Sequence, residues 1–234
     1  MDDLPREEIG AIVDRLVEQL LDQAGVDRPP VDAVAIATEH LGLVLREQAS
    51  VRVPRRQPAG QITVRQEAAE AERQWAAARA IANYYRPSLL RQLGVDPGDS
   101  LGLAGGTLAN LYARHLLLPT RWFAADVRAC GQDLDALFAQ YANCDGALVA
   151  QRLLDLPEPC IITIVRSGQI EFRQSNGYRI RRHLEAAEQR CLALVEQTEQ
   201  SQIVRENCWT VCGIRVGQGL ISRIILHSQV DEID

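Results

Sequence analysis

Four histidines (His40, His115, His183 and His227) and six cysteines (Cys130, Cys144, Cys160, Cys191, Cys208 and Cys212) are the side chains here from which nucleophilic or metal chemistry could be built. All 25 basic residues are arginine. A chain without lysine has no amine nucleophile, Schiff-base former or P-loop cation, which removes kinases and Walker-type nucleotide hydrolases from consideration. The cysteines are too sparse in 234 residues for a disulfide scaffold and read as small core residues kept reduced. Cys208 and Cys212, four apart, read as two thiols on one face of a strand, but they lack the CxxC knuckle of a zinc site. Asp133, Asp135 and Asp145 fall at helix starts, where carboxylates favour the macrodipole over a cation. His40 and His227 have no recognisable partners.

The arginines concentrate in two places, Arg52, Arg55 and Arg56 in a Pro-containing loop, and Arg173, Arg179, Arg181 and Arg182 beside His183. Both read as solvated surface, with an acidic partner or a nucleic-acid backbone as the alternative. The formal net charge of −6 argues against general nucleic-acid binding, where a basic surface supplies most of the affinity. No apolar run approaches the roughly 20 residues of a membrane span. The acidic start of the chain lacks the basic and then apolar pattern of a signal peptide, so a cytoplasmic protein is expected.

Helical spacing places an amphipathic helix over 5–24 and a second over 31–41, and the stretches 43–46 and 60–65 read as strands around an exposed loop. The Ala- and Glu-rich segment 68–85 is the strongest helix, with Trp75, Ile81 and Tyr84 as its buried face and Arg86-Pro87 weakening its continuation. A helix over 107–118 is stopped by Pro119. Three short helices at 120–129, 133–141 and 144–155 have helix-turn-helix-like spacing. After 157 the pattern turns to β: a hairpin over 160–173 with its turn at Ser167-Gly168, a helix over 180–199, and strands at 208–216 and 220–227. The expected fold class is α+β: a helix-rich zincin-like core with a small sheet (1–119), a helix-turn-helix-like segment (120–156) and a β/α C-terminal extension (157–234).

Two stretches carry a family resemblance. Gly60-Gln-Ile-Thr-Val64, followed by Glu72-Arg-Gln-Trp-Ala-Ala-Ala-Arg-Ala-Ile-Ala-Asn-Tyr84, resembles the core helix of the bacterial ImmA/IrrE-type metallopeptidases, where an aromatic precedes Ala-His-Glu-x-x-His. Ala109-Asn-Leu-Tyr-Ala-Arg-His-Leu-Leu-Leu-Pro119 is similar to that family's Glu-x-x-Ala-Asn-x-Phe-Ala-x-x-Leu-Leu-x-Pro segment. The resemblance covers roughly 31–156. In a His-Glu-x-x-His helix the histidines one turn apart reach the same zinc and the glutamate activates its water. The matching positions here hold Arg79, Ala80 and Asn83, and the third ligand position holds Gly106.

A permanent guanidinium cation repels Zn²⁺ and has no lone pair to donate, and Ala80 cannot act as a base. The resemblance therefore implies a metallopeptidase frame without its metal: no cofactor, no zinc and no catalytic residue. What it leaves is a regulatory pseudoenzyme that binds a helix-turn-helix transcription factor or a neighbouring regulatory protein. Arg79, Asn83, Asn110, Arg52, Arg55 and Arg56 are the binding candidates, and Arg79 is expected to hold a carboxylate, either Glu70, Glu72 or one from the partner. The competing reading is an active metal-dependent peptidase with a relocated site built from His115, His183 or the cysteines, although His115 reads as solvent-facing or structural and His183 as part of a solvated helix start. A third is a nucleic-acid module using the arginines and the helix-turn-helix-like stretch, whose third helix offers Arg152 as its one cation.

Overall fold

The computed structural model describes residues 6–49, 60–95, 102–131, 133–217 and 222–230. Arg52, Arg55 and Arg56 lie outside the described residues. The chain divides into two units, one comprising Met1–Ala125 with Tyr141–Asp145, the other Asp126–Gln140 with Gly146–Asp234.

In the first unit, α1 (Arg6–Gln23) buries Val13, Leu16, Val17, Leu20 and Leu21, the spacing of one helical face. It ends at Gly25, whose φ of 70° lets Val26 N–H reach back to the Leu21 carbonyl. Asp32 caps the short α2 (Ala33–Ala35), which continues as a π-helical turn over Ile36–His40. The strands β1 (Val44–Gln48) and β2 (Gln61–Arg65) then pair in parallel, Val44 opposite Gln61.

The helix α3 (Glu70–Gln92) is where expectation needs correction. Its buried stripe is Gln74, Ala77, Ala78, Ile81 and Ala82, whereas Tyr84 is 54% exposed. Nor does Pro87 end it: the proline is exposed, so the Asn83 carbonyl it crowds can turn to water, and buried Leu89 and Leu90 hold the next turn in the helix. Gln74, 2% exposed, accepts from Ala33 N–H at 2.7 Å and donates to Asp32 at 2.9 Å and Glu70 at 2.7 Å, so it ties α2 to α3. α4 (Gly102–Leu117) packs along α3 and α1. Beyond Pro119, α5 (Thr120–Cys130) begins in this unit, and the 141–145 segment returns to it. There Tyr141 meets Phe123 edge-on at 5.4 Å and Asn143 donates to the Val31 carbonyl at 2.7 Å.

The second unit is built on a five-stranded antiparallel sheet in the order β4-β3-β7-β6-β5. The short helices α6 (Leu134–Gln140) and α7 (Gly146–Leu153) precede it, and Asp133 caps α6 by accepting from Ala136 N–H. β3 (Ile161–Arg166) and β4 (Gln169–Ser175) form the expected hairpin, with Ser167 and Gly168 both at positive φ as its two-residue turn requires. α8 (Ala186–Thr198) starts six residues later than the periodicity suggests, because a capping box between Glu185 and Glu188 sets its first turn. β5 (Gln202–Glu206) is an edge strand that the sequence pattern misses, since only Val204 of its five residues is buried. β6 (Trp209–Val216) and β7 (Arg223–Val230) complete the sheet.

Side chains alternate across these strands. Val204, Val211, Ile224 and Leu226 meet Ala187, Cys191 and Val195 of α8. Gly213 makes that approach possible, since a Cβ there would lie 2.7 Å from Cys191 Sγ. Ile162, Cys212 and His227 share a register on the opposite face, the one Val216 also points from, and Val216 approaches Gly146 at the start of α7. The chain is therefore an α+β protein.

Candidate functional site

Helical geometry puts Ala76, Arg79, Ala80, Asn83, Tyr84 and Pro87 on one stripe of α3, opposite the packed one. Ala76, Arg79 and Ala80 are half-buried, and Asn83, Tyr84 and Pro87 are exposed. The three positions at which the resemblance would demand His, Glu and His thus lie together on the less buried side of the helix. On α4, Gly106 and Asn110 are both exposed, and a Cβ at Gly106 would meet nothing within 4 Å.

Neither acidic residue expected to hold Arg79 does so. Glu70 accepts from Gln74 and Glu72 pairs with Arg65. Among the described residues Arg79 has no ion pair, and its Nε is shielded from water without a hydrogen-bond partner. Beside it is an aromatic ladder with no counterpart in the sequence reading: Tyr84 stands edge-on to Tyr85 at 5.2 Å, and Tyr85 stacks on Tyr112 of α4 at 6.3 Å. Tyr112 is fully buried, its hydroxyl has no hydrogen-bond partner among the described residues, and burial pushes its ionisation well above the usual tyrosine value. The stripe therefore offers a cation, an amide and a tyrosine ring side by side, which suits docking of a polar partner and provides no general base.

Within each unit, among the described residues, the side chains of the relocated-site reading do not group as a metal site needs. His115 is buried, at 4% exposure, and its Nδ1 lies 2.6 Å from Asp14 Oδ1. Thr120 donates to that same oxygen at 2.7 Å, so the hydroxyl faces the acid and is not activated by the imidazole. The solvent-facing alternative for His115 falls with its burial, and its role is to join α1 to α4. His183 is exposed on the second unit, ahead of α8 and outside any helix. Burial raises the thiol pKa to about 12 for Cys144, Cys160 and Cys191 and to about 11 for Cys212, so all four are neutral thiols at neutral pH. Cys208 stands in the β5–β6 turn and not on a strand with Cys212. Among the described residues no three His, Cys, Asp or Glu side chains group as a metal would need. His40 is exposed.

The arginine cluster near 173–182 splits in two. Arg173 is not solvated: its side chain is 6% exposed and grips both carboxylate oxygens of Glu188. Arg179, Arg181 and Arg182 are exposed. On the helix-turn-helix-like stretch, no residue of α7 is fully exposed, and Arg152 is 1% exposed and paired with Asp155. α7 packs on β3 and β7, and its one cation is buried, which leaves it no charged side chain for a DNA groove. A groove of about 470 Å³ runs along α1, lined by Glu8, Ile12, Arg15 and Gln19 and closed by Gln92. It takes in none of the candidate residues. No helix among the described residues is long and apolar enough to cross a membrane.

The fold thus belongs to the α+β class, with Arg79, Ala80 and Asn83 on one stripe of α3. No protein-family model matches the chain, and neither does any curated protein. Among solved structures it is similar to a Mycobacterium tuberculosis transcriptional regulator, with a TM-score of 0.68 over 97% of this chain and 81% of that one. At 18% identity the likeness is one of fold.

Proposed function

We propose that this protein is a catalytically inactive relative of the ImmA/IrrE-type metallopeptidases that serves as a regulatory protein-binding module. Its partner is a helix-turn-helix transcription factor or another regulatory protein encoded beside it. The observation that carries the reading is the α3 stripe, where Arg79 stands without a carboxylate partner among the described residues, flanked by Asn83 and exposed Tyr84. A guanidinium so placed makes a charge-assisted bond with an incoming carboxylate. The fold likeness to a transcriptional regulator supports a regulatory role.

The test is to purify the protein, mix it with the helix-turn-helix regulator encoded nearest to it, and measure binding by calorimetry together with zinc by elemental analysis. The reading expects a complex, a partner that stays intact, less than stoichiometric zinc, and about tenfold or greater weakening by Arg79→Glu. Stoichiometric zinc or cleavage of the partner would overturn it.

A further inference from the structure

The segment between β4 and α8 is held to the second unit at its start, at Arg181 and at its end. Asn176 accepts from Cys160 N–H at 2.8 Å and donates to the Leu156 carbonyl at 2.7 Å and the Glu158 carbonyl at 3.0 Å. Ser175 Oγ accepts from the N–H groups of Gly177 and Tyr178, and the Tyr178 hydroxyl accepts from Val230 N–H at 3.3 Å. Gly177 runs so close to Pro159 that a Cβ would lie 2.7 Å from the proline's own. Farther along, Arg173 uses its Nε to hold the Arg181 carbonyl at 3.0 Å while its Nη groups engage Glu188. Tyr178, Ile180 and Leu184 turn partly inward, which leaves Arg179, Arg181, Arg182 and His183 pointing out.

The two acids nearest in sequence are already occupied, Glu188 by Arg173 and Glu185 by the helix cap. No ion pair is found for Arg179, Arg181 or Arg182 among the described residues. A buried arginine thus fixes the Arg181 carbonyl, and Asn176 and Tyr178 anchor the approach to Arg179, so the cations need little further ordering to bind an anion.

We propose that Arg179, Arg181 and Arg182, with His183, form a preorganised docking surface for a short acidic peptide segment of a partner protein. Two observations favour a peptide over a nucleic acid. The chain carries a net charge of −6, so a duplex extending beyond this patch meets repulsion, while a segment of a few residues stays within the roughly 8 Å over which the patch dominates at physiological salt. In addition, the helix-turn-helix-like α7 has its one cation, Arg152, buried and paired with Asp155. This surface belongs to the second unit and stands independently of the α3 reading.

The experiment is fluorescence polarisation of a labelled octaglutamate peptide against the full chain at low and high salt, with a labelled 20-base-pair duplex in parallel. Parent protein binds the peptide, and affinity falls as salt rises. Changing Arg179, Arg181 and Arg182 together to Ser weakens binding by about tenfold, the sum of three exposed charge pairs, with an unchanged melting temperature. Asn176→Ala keeps every charge and still weakens binding, because the loop is released. Equal peptide binding by parent and triple variant, or no binding by the parent, would overturn the proposal, and tighter binding of the duplex than of the peptide would assign the surface to nucleic acid instead.

Discussion

Arg173 and Glu188 face each other fork to fork inside the second unit, Nη1 to Oε1 and Nη2 to Oε2 each at 2.8 Å, with the glutamate side chain 0% exposed. Thr163 accepts from the same guanidinium, Ser228 donates to Glu188 at 2.9 Å, and Glu185 N–H donates to it at 2.8 Å. One carboxylate therefore starts α8, pins it to β7 and neutralises the arginine of β4. Breaking a buried pair leaves an uncompensated charge, so Glu188→Gln is expected to destabilise the protein by about 3–5 kcal/mol in urea unfolding. A loss below about 1 kcal/mol would show that the pair is not what holds the unit.

In the first unit Asp14 serves both His115 and Thr120. Asp14→Ala leaves two donors at a largely buried corner without that acceptor, for an expected cost of about 1–3 kcal/mol. Differential scanning calorimetry measures it, and an unchanged melting temperature would contradict the assignment of His115 as the residue that joins α1 to α4.

Packing of α8 on the sheet depends on Gly213. A Cβ there lies 2.7 Å from Cys191 Sγ and 2.9 Å from Val195 Cγ2, so Gly213→Ala overpacks the core at an expected cost of about 1–3 kcal/mol. Adding Cys191→Ala removes one of those clashes. The double variant should then lose less than the two single losses added together, and strict additivity would count against the contact.

His227 is buried, at 7% exposure, and desolvation lowers its pKa from 6.5 to about 4. Above pH 6.5 both folded and unfolded chains hold it neutral. Between about pH 6.5 and 4 the unfolded chain takes up a proton that the folded chain refuses, so stability declines as the pH falls through that window, by about 3 kcal/mol in all. Unfolding free energies of the parent and His227→Leu, measured from pH 8 to 4, should diverge in slope over that range. Parallel curves would refute the assignment.

The periodic elements were legible because their signals are local. The apolar spacing of α1, the alternation of β3 and the Ser167-Gly168 turn each lie within a few residues of one another. β5 escaped because an edge strand needs only one inward residue, here Val204, and so shows almost no alternation. Pro87 misled because the cost of a proline in a helix depends on whether water can reach the crowded carbonyl and on what anchors the next turn.

The candidate stripe was legible as a set of positions. Arg79, Ala80 and Asn83 share one helix face because their spacing dictates it, whatever the helix packs against. Which acids would meet Arg79 was not legible: Glu70 turns to Gln74, which holds α2 from some forty positions away, and Glu72 turns to Arg65 of β2.

By itself the sequence determined the strongly periodic elements such as α1 and the β3–β4 hairpin, that no lysine chemistry is available, and that the α3 stripe carries arginine, alanine and asparagine. Only the tertiary structure decided that Arg173 is buried while Arg179, Arg181 and Arg182 are exposed, and that His115 is buried against Asp14. The physical reason is that a charged or polar side chain leaves water at low cost only when a partner arrives to satisfy it. Glu188 and Asp14 reach Arg173 and His115 from other elements, brought there by packing that no local pattern encodes.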